Sequence, residues 1–386
     1  MVTIIGSGIA GMCTAIALHQ AGIPAEIYEQ RKTTGDDAGG QAHLGLSRTV
    51  AIPALTALGL KDEILAGGFL VRQVEIRDHT NQVLNTFQAA PEGNVGITRA
   101  ELYRILHTAL EDRGITIHYR RALHHITPQD TGVRLEFRDG TRIHTALVVG
   151  ADGLRSTVRA HISDSTPGVQ GPEYGRWWYA HGITDHIDTP TPPDTFVVIR
   201  NQNTQHAFGY LTLSNIGTRW WLRIAAPARH TMIRPDNPAD RAELENLAPN
   251  DTAATIIRNA TIDMSSYNAD CIPPDQPWTD QKHLALVGDA IHACIPSSSQ
   301  NVPLAAEDAL TLARALRDCD TQTIALDRYE RMRRNRAHRA LIAGNPANGI
   351  DAGPEYPIDW NTPITDHLAT TTEQQYRMPT ETASVP

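Results

Sequence analysis

The sequence contains no stretch of about 18 consecutive apolar residues, so no segment reads as a membrane-spanning helix. Its start, MVTIIGSG, reaches glycine after four apolar or neutral residues and lacks the basic and long apolar regions of a signal peptide. Cysteine is scarce: Cys13, Cys271, Cys294 and Cys319 have no CxxC or metal-type spacing, and four in 386 residues are too few for a disulfide scaffold. A reducing, cytoplasmic setting is the simplest expectation, with no metal site. Positive charge is in deficit, 34 Lys and Arg against 43 Asp and Glu for a net −9, which disfavours a nucleic-acid partner reached through bulk electrostatics.

What is present fits a folded enzyme. At 386 residues, 41% apolar and 20% charged, the chain is one large or two ordinary domains on a prior of roughly 150 residues each. The first thirty residues read as a βαβ unit: an apolar strand Val2–Ile5, a glycine turn, a helical stretch Ile9–Ala21 stopped by Gly22-Ile23-Pro24, and a strand Ala25–Tyr28. Residues 99–113 carry apolar positions at helical spacing, with Gly114 where the helix should end. Asp139-Gly140 marks a hairpin between alternating runs.

From about 165 to 280 the texture is β-rich and alternating, as in an antiparallel sheet. A buried-type strand returns at LALVGD (284–289), followed by helices over about 304–317 and 322–342. The expected fold is therefore α/β: a Rossmann-like dinucleotide-binding domain, split in sequence, with a second α+β substrate domain built on an antiparallel sheet. The expected boundaries are 1–72, 96–164 and 281–345 for the first domain, 73–95 and 165–280 for the second, and 346–386 for a C-terminal tail without period.

Gly6-Ser7-Gly8-Ile9-Ala10-Gly11 is a GxGxxG between a strand and a helix, and Glu29 ends the next strand 21 residues after Gly8. Gly6 makes the tight turn, Gly8 admits a pyrophosphate to backbone N–H groups at the positive helix end, and Gly11 lets helix and strand close up. Glu29, with Gln30 and Arg31 beside it, would hold an adenosine ribose. Two further strand–turn–acid units, Val148–Arg159 around Asp152 and Leu284–His292 around Asp289, are each bland alone, since an aspartate after a strand is commonly a turn former or helix cap.

Together, in this order and at these distances, the three elements resemble the class A flavin monooxygenases of the para-hydroxybenzoate hydroxylase family. The stretch Gly39–Leu44 through Leu58-Gly59-Leu60 is similar to that of the tetracycline-inactivating members. The resemblance runs from residue 1 to about 340 and implies that the split first domain is a Rossmann-like FAD-binding domain of GR2 type, with FAD as cofactor, NADPH or NADH as a transient electron donor, and oxygenation of a small aromatic or polycyclic molecule through a flavin hydroperoxide. It implies that Asp289 binds the ribityl chain, that Gly288 admits it, that Arg99 (or Arg104 if the register differs) reaches the flavin side, and that the Asp152 turn supports cofactor and donor. It fixes no general base. Specialised metabolism, such as antibiotic biosynthesis, and a monomer or homodimer are family-level expectations.

One departure stands out. Where the family has P-x-x-G-x-G-x-N, this chain reads Pro296-Ser297-Ser298-Ser299-Gln300-Asn301-Val302-Pro303, so both glycines carry side chains. Asn301 and Val302 are the expected flavin-ring residues. Asn301 is able to adopt the left-handed conformation and Pro303 suits a first helical turn. Three outcomes are open: FAD with a displaced ring, FAD seated normally in a reshaped pocket, or a chain without flavin chemistry. A redox or cofactor-free reaction without oxygen insertion, or a non-catalytic binding protein, are the corresponding rivals. Core packing is expected for one of each pair in Trp177-Trp178 and Trp220-Trp221, a structural role for His292 and Cys294, and a solvated or interdomain face for the arginines from Arg328 to Arg339.

Overall fold

The structure is a computed structural model that describes residues 1–33, 43–88, 92–164, 171–185, 187, 189, 191–192, 194–213, 217–234, 236–296, 299–344, 360–361 and 363–375. The segment Gly39–Ala42, part of the family resemblance, and Ser297 and Ser298 of the altered loop lie outside these residues.

Five strands form a parallel sheet in the order Leu284–Leu286, Leu147–Gly150, Val2–Ile5, Ala25–Tyr28, Ile117–His118. In register Ile5 stands beside both Gly150 and Tyr28, and Gly150 beside Leu286. Four chain segments more than a hundred residues apart at the extremes therefore end at one carboxyl edge, which is where open parallel sheets bind ligands. Helix Ile9–Gln20 packs on helix Asn301–Asp318 and on helix Arg99–Asp112. The N-terminal unit, the Gly114 stop (φ +65°) and the hairpin through Gly140 (φ +86°) follow the sequence reading.

The second sheet has seven strands, in the order Ala260–Cys271, Glu173–Thr184, Gly217–Ala225, His206–Leu213, Thr195–Asn201, Gln73–Asp78, Val83–Gln88. It is antiparallel except where Gln73–Asp78 lies parallel to Thr195–Asn201. Gln73–Asp78 and Val83–Gln88 form an antiparallel hairpin at one edge of this sheet. Two helices, Pro238–Leu247 and Asp251–Arg258, interrupt the β-rich stretch and had no counterpart in the alternation pattern. Their signals were the caps: Asn237 accepts the N–H of Ala239 and Asn250 that of Ala253. They cover Trp178, Trp220 and Phe208 on one face of the sheet, leaving the opposite face to a cavity.

In the tail, where no period was read, Asp366–Gln375 is a helix on helix Gln322–Gly344, joined by ion pairs Arg328–Asp366 and Arg331–Glu373. Among the described residues no helix is long and apolar enough to cross a membrane.

The glycine turn sets how closely the first helix approaches its strand. A Cβ at Gly11 would lie 2.0 Å from the Gly6 carbonyl oxygen, whereas one at Gly22 (φ +72°) would meet nothing within 4 Å. Gly11→Ala is expected to cost about 3 kcal/mol through overpacking, and Gly22→Ala about 1 kcal/mol through its left-handed backbone alone. Urea unfolding of both variants checks the difference; equal losses would mean the helix has room to move.

Candidate active site

The carboxyl edge carries four turns. At the first, Gly6 has φ +102°, where a Cβ would sit 2.5 Å from the Ala151 carbonyl oxygen. Gly8 opens the helix with no side-chain cap, and the first turn holds no acidic residue. A Cβ on Gly8 would find nothing nearer than the Tyr103 hydroxyl at 3.7 Å, so open ground faces the N–H groups of Ile9 and Ala10. An uncapped helix N-terminus behind a glycine cradle suits a pyrophosphate.

At the second turn Glu29 is 4% exposed. Its Oε2 accepts the Ser7 N–H at 2.7 Å and the Ser7 hydroxyl at 2.8 Å, and its Oε1 accepts the Arg31 N–H at 2.8 Å. Burial alone would push this carboxyl up; the N–H groups of Arg31 and Ser7 and the Arg31 charge outweigh it and hold it below the usual range. The Arg31 guanidinium returns to Ser7 Oγ at 3.1 Å and lies over the Tyr103 ring. These residues border a recess of about 320 Å³. Gln30 is exposed beside it.

Arg99 follows Thr98, which caps helix Arg99–Asp112 by accepting the Glu101 N–H at 3.0 Å. Its guanidinium lies over Tyr103 at 5.6 Å and its charge reaches Tyr267 on the seven-stranded sheet, where it opposes the rise that burial imposes on that phenol. Arg99 thus stands between the glycine turn and the second sheet. Arg104, its alternative, is 62% exposed and paired with Glu101 at 2.6 Å.

At the third turn Asp152 accepts the Ser156 hydroxyl at 2.5 Å and the Thr157 N–H at 2.7 Å, capping helix Thr157–Asp164. Its carboxylate does what the capping reading of this motif expected. The residue of this motif that reaches furthest is Arg159, which sequence reasoning passed over: buried, it donates to the Leu154 carbonyl at 2.6 Å and to the Ala290 carbonyl at 2.5 Å. It joins the third turn to the fourth across 131 residues.

The fourth turn is Gly288 (φ +60°), where a Cβ would lie 2.5 Å from that of Ala10. It is held from beneath by Asp308, which is 0% exposed. Asp308 Oδ2 accepts the Gly288 N–H at 2.9 Å and faces His292 Nε2 at 2.5 Å, while Oδ1 accepts Arg333 Nε at 2.9 Å. Arg333 pairs with Glu307 at 2.6 Å, and Arg336, buried as well, donates to Gln300 at 3.0 Å. Arg333 and Arg336 are therefore buried ion-pair partners of helix Asn301–Asp318, a correction to the solvated or interdomain face expected for this helix. Their period was hidden because charged residues were read as outward-facing, whereas pairing makes their burial tolerable. His292 is structural, as expected.

The loop after Pro296 also differs from expectation in one respect. Ser299, not Asn301, takes the left-handed conformation (φ +53°), and Asn301 is the first residue of helix Asn301–Asp318 with Pro303 in its first turn. The left-handed turn falls at Ser299, a position where the family resemblance implies glycine. Asn301 Nδ2 donates to Asp289 Oδ1 at 3.0 Å, and Cys294 Sγ donates to Asn301 Oδ1 at 3.0 Å. Val302 is buried behind it. This helix, like the first, has neither side-chain cap nor early acidic residue. Ser299 and Pro296 line a cavity of about 540 Å³ whose opposite wall is the seven-stranded sheet. Register settles which tryptophan faces it: Arg219, Trp221 and Arg223 alternate toward the cavity, while Trp178 and Trp220 pack in the core behind. Gly209 stands across from Trp221, and a Cβ there would strike the indole at 2.3 Å.

Burial would raise the Asp308 carboxyl, but His292, Arg333 and the Gly288 N–H together hold it below the usual range. Asp308→Ala, leaving Arg333 and His292 buried against less charge, is expected to cost about 3–5 kcal/mol at neutral pH in urea unfolding. Because the folded-state value is depressed, this contribution is complete above the unfolded value of about 3.9 and fades as pH falls through the folded one. The gap between wild type and variant should therefore narrow below that pH; a gap that stays constant would remove Asp308 as the titrating group.

The family described as FAD binding domain matches residues 1–343. Among curated proteins the chain is similar to an aurachin C monooxygenase/isomerase of Stigmatella aurantiaca, 28% identical over 369 residues and covering 89% of this chain and 87% of that protein. Among solved structures it resembles Klebsiella pneumoniae HpxO complexed with FAD and uric acid, at TM-score 0.75, 23% identity and 89% and 87% coverage. It also resembles the tetracycline destructase Tet(55), at TM-score 0.70, 19% identity and 97% and 93% coverage. With four glycine- and acid-bearing turns on one sheet edge and a matched span of residues 1–343, the chain belongs to the FAD binding domain family, as a class A FAD-dependent monooxygenase.

Proposed function

We propose that this chain uses FAD and NAD(P)H to oxygenate a small aromatic or polycyclic molecule held in the 540 Å³ cavity between the loop 296–303 and the seven-stranded sheet. The observation that carries the reading is the convergence of Gly6, Glu29, Gly150 and Gly288 on one sheet edge with an aromatic-lined cavity directly beyond. In this reading residues 1–72, 96–164 and 281–345 bind the cofactor, and 73–95 and 165–280 bind the substrate. The protein works in the cytoplasm.

Glu29, flanked by Gln30 and Arg31, holds the adenosine ribose, and the recess at Tyr103 takes the adenine. Gly6, Gly8 and Gly11, with the N–H groups of Ile9 and Ala10, hold the pyrophosphate. Asp289 binds the ribityl hydroxyls beside Gly288, and the turn at Asp152 supports them. Arg99 and the helix N-terminus at Asn301 and Val302 face the flavin ring with positive charge. FAD supplies the electron transfer and oxygen chemistry when bound. The chain's own work is to orient the substrate between Trp221, Phe196 and Tyr179 and to exclude water from it. His181, which shares a hydrogen bond with Ser265 at 2.8 Å, lines the same cavity.

Titrating the purified chain with FAD while following the flavin absorbance band tests the cofactor assignment, and labelled oxygen appearing in product tests insertion. Unlabelled product with NAD(P)H consumed would favour a redox reaction without insertion. Asn301 occupies one oxygen of Asp289. Asn301→Gly is expected to tighten FAD binding about 3- to 10-fold, the worth of one hydrogen bond released to the cofactor. A weaker affinity would show instead that Asn301 presents Asp289 to the cofactor.

A further inference from the structure

One row of the seven-stranded sheet has a gap in its side chains. In register His181, Trp221, Gly209 and Val198 stand side by side on four neighbouring strands, and His181, Trp221 and Val198 line the cavity. Side chains of a strand ordinarily stand upright from the sheet. The Trp221 indole instead lies across the Gly209 backbone: a Cβ there would fall 2.3 Å from its Cε2, 2.4 Å from its Nε1 and 2.6 Å from its Cζ2. Laid over one strand, the indole reaches toward Phe196 on the next, with ring centroids 6.4 Å apart and planes at 35°.

The other face of the sheet uses the same device without a cavity. Trp220 lies over Gly182, where a Cβ would strike its Cζ2 at 2.7 Å, but it is 1% exposed and its Nε1 donates to the Thr184 hydroxyl at 3.1 Å. Trp220 is core, packed among Trp178, Phe208 and Leu222. Trp221 is only half-buried, and what it turns to the cavity is the broad face of its ring system.

We propose that Gly209 is a specificity-determining residue: by leaving its place empty it lets Trp221 lie flat as a stacking platform, and so fits the cavity to a planar substrate of two or more fused rings rather than a single ring. A fused ring system gains more than a lone ring from a flat aromatic face, because dispersion and offset stacking grow with the area overlapped. Trp221 and Phe196 together carry that face across three strands, about 10 Å at ordinary strand spacing, which a single six-membered ring does not fill. A side chain at Gly209 would lift the indole off the sheet and into the space the second ring occupies. The proposal deepens the monooxygenase reading and rests on it in taking this cavity as the substrate site.

Calorimetric titration of the FAD-loaded full chain with 2-naphthol and with phenol tests it. Any apolar cavity prefers the larger probe, so the variants decide. Gly209→Ala is expected to weaken 2-naphthol about 10-fold, or 1.4 kcal/mol, and phenol by less than about 2-fold. Trp221→Leu should weaken 2-naphthol selectively as well, Trp221→Phe should keep part of the preference, and these variants supply the readout if Gly209→Ala does not fold. In the double variant Gly209→Ala, Trp221→Leu the glycine substitution should add nothing, since the indole it displaces is gone. Equal losses for both probes in Gly209→Ala and Trp221→Leu would make the indole a mere cover for the glycine backbone and overturn the proposal. Unchanged binding in both variants, a full glycine effect persisting in the double variant, or no binding of either probe at millimolar concentration would overturn it too. The two readings fail separately. Variants without a ring-size effect, in a chain that still puts labelled oxygen into product, sink only the platform. The expected ring-size effect in a chain that consumes no NAD(P)H sinks only the oxygenation.

Discussion

The arrangement of the site depends on one buried carboxylate. Asp308 binds the N–H of Gly288, His292 and Arg333 at once, and so fixes the Gly288–Asp289 turn against two helices. Two of the other turns are joined to that one. Gly288 abuts Ala10 of the glycine-turn helix, and Arg159 ties the Asp152 turn to the carbonyl of Ala290. A buried carboxylate with three partners is stable only while all are in place, which makes the whole edge of the sheet behave as a unit.

The altered loop is best understood within that unit. Ser299 takes a left-handed backbone, and Asn301 turns its amide inward to Asp289 and Cys294. Helix Asn301–Asp318 starts without a side-chain cap, and Asn301 occupies one oxygen of Asp289.

Charge is distributed in two different ways. On the cofactor side, arginines are neutralised internally, as Arg31 is by Glu29 and Arg333 by Glu307 and Asp308. On the cavity wall Arg200 and Arg223 have no carboxylate within ion-pair distance among the described residues. The contrast is local to the cavity wall, since Arg77 on the same seven-stranded sheet is paired with Glu75 at 2.6 Å.

Much of the cofactor half was legible because its signals are local. A strand, three glycines at fixed spacing, a helix and Glu29 all fall within thirty residues, and glycine positions are dictated by backbone clashes that any fold of this type must meet. The caps at Asn237 and Asn250 were equally local, yet alternation masked them. Other features came only with the tertiary structure: the partners of Asp308, the reach of Arg159 and the inward phase of Arg219, Trp221 and Arg223. Each depends on segments distant in sequence, and the side-chain period of two in a strand leaves the buried face undecided until neighbouring strands and covering helices choose it. The sequence by itself determined that a dinucleotide site exists and which turns build it. Tertiary packing decided what the cavity beyond it presents to a ligand, because only there do unmatched charges from separate strands meet.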